Sequence, residues 1–439
     1  MSLELKNVKG TYDYMPEDQR VRQRIIRQLQ DVFEKYGYQP LETPIISYFD
    51  VLSWKYAGGS EILKEVYQLS DQGQRELGLR YDLTVPFTRV IGMNPQLRMP
   101  FKRFEIGKVY RDGPVKIGRN REFIQCDVDI VGVKSVMAEA ELISMTKEIY
   151  DALDLDVYIS YNNRNVLSGI IQLAGIRKEQ FNDVILTIDK IEKIGEESVC
   201  NELENKGIIK EYVDRLLKYL RMDPKQLLIE LKTINDDSII EGITELKELN
   251  QYLDALDLRE FVRFTPSLAR GLEIYTGTVW EVFLEDGSIS SSIGAGGRYD
   301  KIIGTFLDNG NEYPAVGMTF GLDVIYEALK LKNQIKKDPY IEVYVIPMGT
   351  NVECLKVVKD LRNLGLRVDI DMTGRKVKKA LSYANKEQIP YVMVIGDNEI
   401  KSGKVNVKDM STGEVQEIKL NKLEELGEYK DEKEHISIN

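Results

Sequence analysis

The chain has 439 residues, 43% of them hydrophobic and 30% charged, enough for two to four domains and a large core. Its formal net charge of −11 excludes bulk attraction to nucleic acid, so an RNA partner requires a local basic patch. The single histidine, His435, lies in a polar tail, which excludes histidine triads, histidine acid–base catalysis and most histidine metal sites. Chemistry must therefore run on carboxylates, arginines, lysines and backbone groups. Cys126, Cys200 and Cys354 are widely spaced and odd in number, with neither disulfide nor zinc spacing, so a reducing, cytoplasmic setting is expected. The opening MSLELKNVKG has no apolar core for a signal peptide, and no apolar run approaches the length of a membrane span.

In chain order, Val21, Ile25, Leu29, Val32 and Phe33 recur at helical spacing and predict a helix over Glu17–Tyr36, stopped by Gly37. A short strand, Tyr38–Glu42, ends at Thr43-Pro44. Glu65–Leu69 and Leu77–Tyr81 read as a hairpin around Asp71-Gln72-Gly73. A helix over Val85–Ile91 follows, with Thr84 as its cap and Pro86 in its first turn. Asp82 and Thr84 read either as capping groups or as part of a site.

The stretch Phe104–Gly132 reads as strand, loop, strand. Along its second strand Phe123, Gln125, Asp127 and Asp129 share one face, while Ile124, Cys126, Val128 and Ile130 share the other. The loop carries the turn residues Gly113, Pro114 and Gly118 and the cations Lys116, Arg119 and Arg121. The polar row, with Arg111 at the end of the partner strand, is either a floor for a small anionic ligand or the solvated face of a hairpin.

Next come a helix over Lys134–Leu153, a strand over Val157–Tyr161 and a helix over Arg164–Gly175. Residues from about 177 to 258 are rich in Glu, Lys, Leu and Ile with few strand signals, and read as an inserted helical module. Phe261–Phe264 returns to the sheet. A strand is expected over Ile274–Leu284, with a turn at Asp286-Gly287. In SSSIGAGGRYD, residues 290–300, glycines 294, 296 and 297 permit close backbone approach to a ligand or make a structural turn, and Arg298 follows. This is not a nucleotide-binding glycine loop of the usual kinds, lacking both Gly-Lys-Ser/Thr and a strand–GxGxxG–helix order. Residues 314–329 read as a strand leading to a helix, and 331–339 as a linker. From Tyr340, strands at Ile341–Ile346, Leu366–Ile370 and Tyr391–Ile395 alternate with helices at Asn351–Leu364 and Lys376–Lys386. That order implies a small, separate α/β domain with a parallel core, closed by a hairpin of Lys404–Lys408 and Val415–Ile418. The residues from Glu424 onward are charged.

Arg111, Arg121, Arg270 and Arg298 each stand beside a glycine-containing turn or at a strand end. Four permanently charged guanidinium forks suit a polyphosphate. Asp82, Thr84, Gln125 and Asp129 could hold an ammonium group and a polar side chain. Together they suggest activation of an amino acid by a nucleoside triphosphate.

On these stretches the chain resembles the class II aminoacyl-tRNA synthetases, and among them the histidyl-tRNA synthetases. The likeness covers nearly the whole chain: KGTYDYMPED, the helix–strand–Pro44 of a first motif, LRYDLTVPFTR, the arginine-led second motif KVYRDGP…GRNREFIQCDVDIVG, LARGLEIYTGTVWE, and GAGGRYD as a third motif. It implies an α+β catalytic domain with an antiparallel sheet over residues 1–330, a helical insertion at about 177–258, a linker at 331–339, an α/β anticodon-binding domain at 340–424 and a charged tail at 425–439. It also implies a homodimer that joins L-histidine to tRNA(His), consuming ATP with Mg2+ and using no tightly bound, protein-ligated metal.

Carried over by position, Arg111 binds the α-phosphate and the amino-acid carboxylate, Arg270 stabilises the transition state, and Phe123 stacks on adenine with Arg121 and Arg298 on the phosphates. Asp82, Leu83, Thr84, Gln125, Asp129, Ile274 and Tyr275, with Arg111 and Arg270, hold the histidine. Lys116, Arg119, Arg375, Lys376 and Lys378 are candidate tRNA contacts, the last three on a run that otherwise reads as a solvated helix face. The chain departs from the family pattern at Ile274, where a tyrosine is usual, at Asp112, where a histidine or arginine is usual, and in the loop to Gly118. Other readings of the same residues are an inactive paralogue serving as a regulatory subunit of ATP phosphoribosyltransferase, an RNA-binding module, and a synthetase for another amino acid.

Overall fold

The computed structural model describes residues 4–53, 61–115, 119–270, 274–332 and 339–426. They fall into two compact units, Met1–Ile335 and Lys336–Asn439. The strands of the first unit are β1 (Gln39–Pro40), β2 (Ile46–Tyr48), β3 (Gln68–Ser70), β4 (Glu76–Leu79), β5 (Phe101–Tyr110), β6 (Glu122–Val131), β7 (Val157–Asn163), β8 (Val262–Phe264), β9 (Thr278–Leu284), β10 (Gly294–Arg298) and β11 (Ala315–Gly321). Eight of them form one sheet in the order β1-β5-β6-β11-β10-β9-β7-β8, while β2-β4-β3 form a small separate sheet. The large sheet is antiparallel through its middle, with parallel pairs only at its two edges, β1 with β5 and β7 with β8.

The two faces of the sheet differ because alternate side chains point to opposite sides. On one face Cys126, Val128 and Ile130 of β6 and Val316, Met318 and Phe320 of β11 are buried in a single apolar cluster. The helices Pro16–Lys35 and Met137–Ala152 cover them. Pro16 suits its place at the first helical turn, where its missing N–H is not needed. Phe33 of that helix is fully buried, with its ring 5.4 Å from that of Phe104 and 5.7 Å from that of Phe320. Burying a side chain of this size contributes about 1.5–3 kcal/mol. The helical stretch between Phe181 and Ala255 has no core of its own. Its Val199, Leu203, Leu216, Leu227 and Leu249 belong to the same apolar cluster as the sheet.

The first and last parts of the unit meet on one carboxylate. Asp323, at the start of the helix Leu322–Leu331, accepts hydrogen bonds at Oδ1 from Arg22 Nη1 at 2.7 Å and from the Tyr14 hydroxyl at 2.7 Å. Its Oδ2 accepts from the Ile124 amide at 3.0 Å. The β11–β6 pairing ends at Gly321 opposite Gln125, so this side chain takes over the sheet's hydrogen bonding one residue further along.

Three local expectations are corrected. The helix after β4 runs Thr84–Met93 with Leu83 as its N-cap residue, and the capping oxygen is Asp82 Oδ1, which accepts from the Val85 amide at 3.0 Å. Thr84 is already inside the helix. The strand expected from Ile274 begins at Thr278, because Thr276 and Gly277 spend their backbone groups elsewhere: Thr276 donates to the Arg298 carbonyl at 2.8 Å, and Gly277 accepts from Arg164 at 2.9 Å. The glycine-rich segment is not a loop but strand β10. Its glycines make room for neighbouring rings: a Cβ on Gly296 would come within 2.5 Å of Trp280, and one on Gly297 within 2.7 Å of Tyr275.

In the second unit β12 (Val343–Pro347), β13 (Val368–Ile370), β14 (Tyr391–Ile395), β15 (Lys404–Asp409) and β16 (Val415–Lys419) form one sheet in the order β13-β12-β14-β15-β16. The pairs β12–β13 and β12–β14 are parallel, and β15 and β16 add an antiparallel hairpin. Val343, Val345, Met393 and Ile395 pack on Val358 and Leu361 of the helix Asn351–Asn363, while Tyr344, Ile346 and Val392 pack on Ala380 and Ala384 of the helix Val377–Lys386.

Candidate active site

The second face of the large sheet carries the site. The antiparallel register sets Arg103 opposite Asp129, Glu105 opposite Asp127, Gly107 opposite Gln125 and Val109 opposite Phe123. The polar row of β6 therefore continues onto β5. A narrow, half-open cleft lies over it. Asp127 and Asp129 of β6, Gly317 and Thr319 of β11, and Ala295 and Tyr299 at β10 line it, and Thr84, Ile274 and Tyr275 close its rim. A tight neighbouring crevice is lined by Arg270, Asn163 and Arg164 and shares Tyr275 with the first.

The two aspartates differ in their partners. Asp129 faces Arg103 Nη2 at 2.7 Å and accepts a hydrogen bond from the Tyr299 hydroxyl. Room for this carboxylate exists only because residue 317 is glycine, where a Cβ would lie 2.0 Å from Asp129 Oδ1. Burial pushes the Asp129 carboxyl above the ordinary range, against the pull of Arg103. Asp127 accepts from the Thr319 hydroxyl. Burial pushes its carboxyl up to about 8, Arg103 pulls it down, and Asp129 and Asp82 push it further up. Arg103 itself is completely buried, lies 4.3 Å above the Phe87 ring, and donates to the Leu83 carbonyl at 3.3 Å. Glu105 is held by Arg80 Nη1 at 2.7 Å and accepts from the Thr43 hydroxyl and amide.

Further along the same face, the Arg111 guanidinium stands 5.1 Å from the Phe123 ring centroid, and its Nε donates to the Tyr81 carbonyl at 3.1 Å. A planar cation over an aromatic ring is pre-ordered for a flat or anionic partner. Between Phe123 and Asp127, Gln125 has its Oε1 buried with no hydrogen-bond partner among the described residues. A buried acceptor of this kind calls for a donor. Arg270 pairs with Glu281 Oε1 at 3.0 Å and stands 5.3 Å from the Tyr275 ring, with 19% of its side chain exposed. Arg121 is held by Asp112 at 3.2 Å and donates to the Gly113 carbonyl.

Two assignments made from sequence are corrected. Arg298 does not face the cleft. On β10 it points to the covered side of the sheet and is 2% exposed. Its N–H groups go to Glu139 (Nε and Nη2, both 2.6 Å), to the Val133 and Ser135 carbonyls and to Asp300, which leaves nothing for a phosphate. Leu83 is fully buried in the core, and its carbonyl is taken by Arg103. Of the remaining residues, Thr84, Asp129, Ile274 and Tyr275 meet at the cleft and Arg270 stands next to it. Lys116 lies outside the described residues. Arg119 is tied to Glu65 at 2.7 Å, and in the second unit Arg375, Lys376 and Lys378 are exposed, with Arg375 4.5 Å from the Tyr383 ring.

Sequence reasoning missed Arg103, Glu105, Thr319 and Glu281, and saw Asp127 only as a member of the polar row. The signal was the alternation of Arg103, Glu105 and Gly107 on β5, in step with the polar row of β6.

A mainly antiparallel sheet carrying arginines and a polar row on one face, with helices on the other and a separate α/β unit after it, is the architecture of a class II aminoacyl-tRNA synthetase. The family model described as histidyl-tRNA synthetase matches residues 10–325, and that described as an anticodon binding domain matches residues 342–426. The chain belongs to the histidyl-tRNA synthetase family. It is 51% identical over 425 residues to histidine–tRNA ligase 1 of Bacillus cereus, covering 96% of this chain and 97% of the relative. The solved histidyl-tRNA synthetase of Nostoc sp. PCC 7120 superposes with a TM-score of 0.84 at 30% identity, covering 98% of this chain and 100% of that one. A Bacillus halodurans structure described as an ATP phosphoribosyltransferase regulatory subunit/histidyl-tRNA synthetase has a TM-score of 0.75 at 19% identity over 90% and 99% of the two chains, a likeness of fold alone.

Proposed function

We propose that this chain is a histidine–tRNA ligase: it activates L-histidine with ATP to histidyl-adenylate and transfers the histidyl group to tRNA(His). Close, near-full-length identity to proteins named histidine–tRNA ligase supports the activity. The observation that carries the site assignment is the face of β6, where Phe123 under Arg111 and the unpartnered Gln125 stand in one row with Asp127 and Asp129. On this reading Phe123 stacks on the adenine of MgATP, with Mg2+ arriving as part of the nucleotide substrate. Arg111 bridges the α-phosphate and the histidine carboxylate, and Arg121 attends the outer phosphates. Gln125 and Asp129, with Asp82 and with Thr84, Ile274 and Tyr275 at the rim, hold the amino acid.

The histidine carboxylate oxygen attacks the α-phosphorus, a P–O bond forms, and the bond to the departing pyrophosphate breaks. Negative charge grows on the equatorial oxygens, where Arg111 and Arg270 stabilise it electrostatically, with no proton moved by the protein. A terminal ribose hydroxyl of the tRNA then attacks the carbonyl carbon of the adenylate and releases AMP.

The chain reads as a catalytic domain over 1–330 with its helical insertion, a linker over 331–339, an anticodon-binding domain over 340–424 and a tail over 425–439. Arg375, Lys376 and Lys378 are proposed phosphate contacts for the tRNA, with Lys116 and Arg119 near its acceptor end. A homodimer is proposed, supported by Ile46 and Tyr48 of β2, each 53% exposed. No helix among the described residues is long and apolar enough to cross a membrane. A cytoplasmic location is proposed. The regulatory-subunit and RNA-binding readings are less well supported, because Arg111 stands over Phe123 on the same sheet face, Arg270 stands next to the cleft, and the second unit matches the anticodon-binding family.

The test is histidine-dependent ATP–pyrophosphate exchange by the purified chain. Exchange is expected with histidine and not with threonine, proline or glycine. Normal ATP binding with no exchange in the presence of histidine would overturn the assignment.

A further inference from the structure

Resting on that reading, the inference concerns which carboxylate of the cleft meets the cationic group of the amino acid. The cleft holds more acids than bases. Glu105 is neutralised by Arg80 at 2.7 Å, and Asp129 by Arg103 at 2.7 Å. Arg103 also leans on Glu105, at 3.8 Å. Asp82 caps the helix Thr84–Met93. Asp127 lines the cleft with no cation of its own: its hydrogen bond among the described residues is the one donated by Thr319. Tyr299, which also lines the cleft, donates to Asp129 instead. The groups facing Asp127 are thus Arg103 and Glu105 from β5, Asp129 from β6, Asp82 from the loop before the helix, and the hydroxyls of Thr319 and Tyr299. Their one cation is already paired.

We propose that Asp127 is a substrate-binding residue that carries a proton in the empty enzyme and gives it up to solvent when the ammonium of histidine enters the cleft. A carboxyl with its own counter-ion is drawn toward its ionised form, as Arg103 draws Asp129. One in a buried acidic cluster holds its proton until a cation arrives to stabilise the ionised form. The buried acceptor of Gln125, two residues along the same face, supplies a second partner for the same ammonium. With the carboxyl up at about 8, a fraction of a proton is released per histidine bound at pH 7.5, and a smaller fraction at pH 8.5.

Isothermal titration of histidine into the full-length protein, in buffers of different ionisation enthalpy at these two pH values, measures the proton count directly. The expected results are release at pH 7.5 that shrinks at pH 8.5, its loss in Asp127→Asn, and histidine affinity about tenfold weaker in that variant. In pyrophosphate exchange the variant should raise the KM for histidine more than it lowers kcat. Histidine binding to wild type with no proton released overturns the proposal without needing the variant. Full release retained by Asp127→Asn overturns it too, and assigns the proton to Asp129. No histidine binding to wild type overturns the histidine–tRNA ligase reading, and this inference with it.

Discussion

Arg298 and Glu139 form a two-pronged ion pair, Nε to Oε1 and Nη2 to Oε2, both at 2.6 Å, on the side of the sheet turned away from the cleft. Both side chains are almost completely buried. Removing one partner strands the other charge, at a cost of about 3–5 kcal/mol. Arg298→Ala should therefore lower the melting temperature by several degrees and leave the KM for ATP of the surviving folded enzyme within a factor of two or three. A large rise in that KM with unchanged melting would return Arg298 to the phosphates.

Arg270 is placed to act on charge that develops during the reaction. Arg270→Ala should lower the rate of adenylate formation by about 10²–10³-fold, as for removal of a single transition-state donor, with a much smaller change in ATP affinity. Single-turnover kinetics separate the two. Equal losses in both would contradict the role.

Gly317 is the counterpart of Asp129 across the β11–β6 ladder. An alanine methyl there would lie 2.0 Å from Asp129 Oδ1, so the carboxylate must leave its position beside Arg103 and Tyr299. Gly317→Ala should raise the KM for histidine by about tenfold or more and change the KM for ATP little. Steady-state kinetics with each substrate varied in turn decide it.

The pH dependence of stability follows from Asp127. Its folded value, about 8, lies above that of an unfolded carboxyl, so the folded state holds the proton more tightly. That contribution is fully present below about pH 4 and is lost as pH rises through 8, at no more than about 1.4 kcal/mol for each tenfold fall in proton concentration. The ligand-free protein should melt at progressively lower temperature from pH 6 to about pH 8 and level off above it, and Asp127→Asn should flatten the trend. Calorimetric melts across that range test it.

The proposed dimer makes a further demand. Ile46 and Tyr48 lie on a strand of the small three-stranded sheet with half their surface exposed. Ile46→Asp should shift the protein to a monomer in light scattering at micromolar concentration and lower activity with it. A wild-type monomer under those conditions would remove the dimer proposal.

The helices, the central hairpin and the separate α/β unit were legible in the sequence because their apolar residues repeat at 3.6 or 2 and their ends carry Gly or Pro. The polar row Gln125, Asp127, Asp129 was legible for the same reason. Its neutralisation was not. Arg103 resembles any cation in a strand, and only the register that puts it opposite Asp129 shows that it is buried. Arg298 misled in the opposite way. It follows a run of glycines that reads as a ligand loop, whereas those glycines accommodate Trp280 and Tyr275 in a regular strand. Arg298 then inherits the covered face by alternation. Ile274–Gly277 look like the start of a strand by composition, but their hydrogen bonds go to Arg298 and Arg164, which no local pattern records.

The bond from the Ile124 amide to Asp323 spans 199 residues. Ile124 sits between Phe123 and Gln125, the adenine and amino-acid sides of the proposed pocket. During synthesis this strand leaves the ribosome long before the carboxylate that completes it, by about 10–40 s at ordinary elongation rates. Until then the amide has no strand partner on that side, and Arg22 and Tyr14 have no anchor. The nascent chain therefore cannot assemble a finished pocket from its first 300 or so residues. A product that ends before Asp323 therefore lacks the carboxylate that ties Ile124, Arg22 and Tyr14 together.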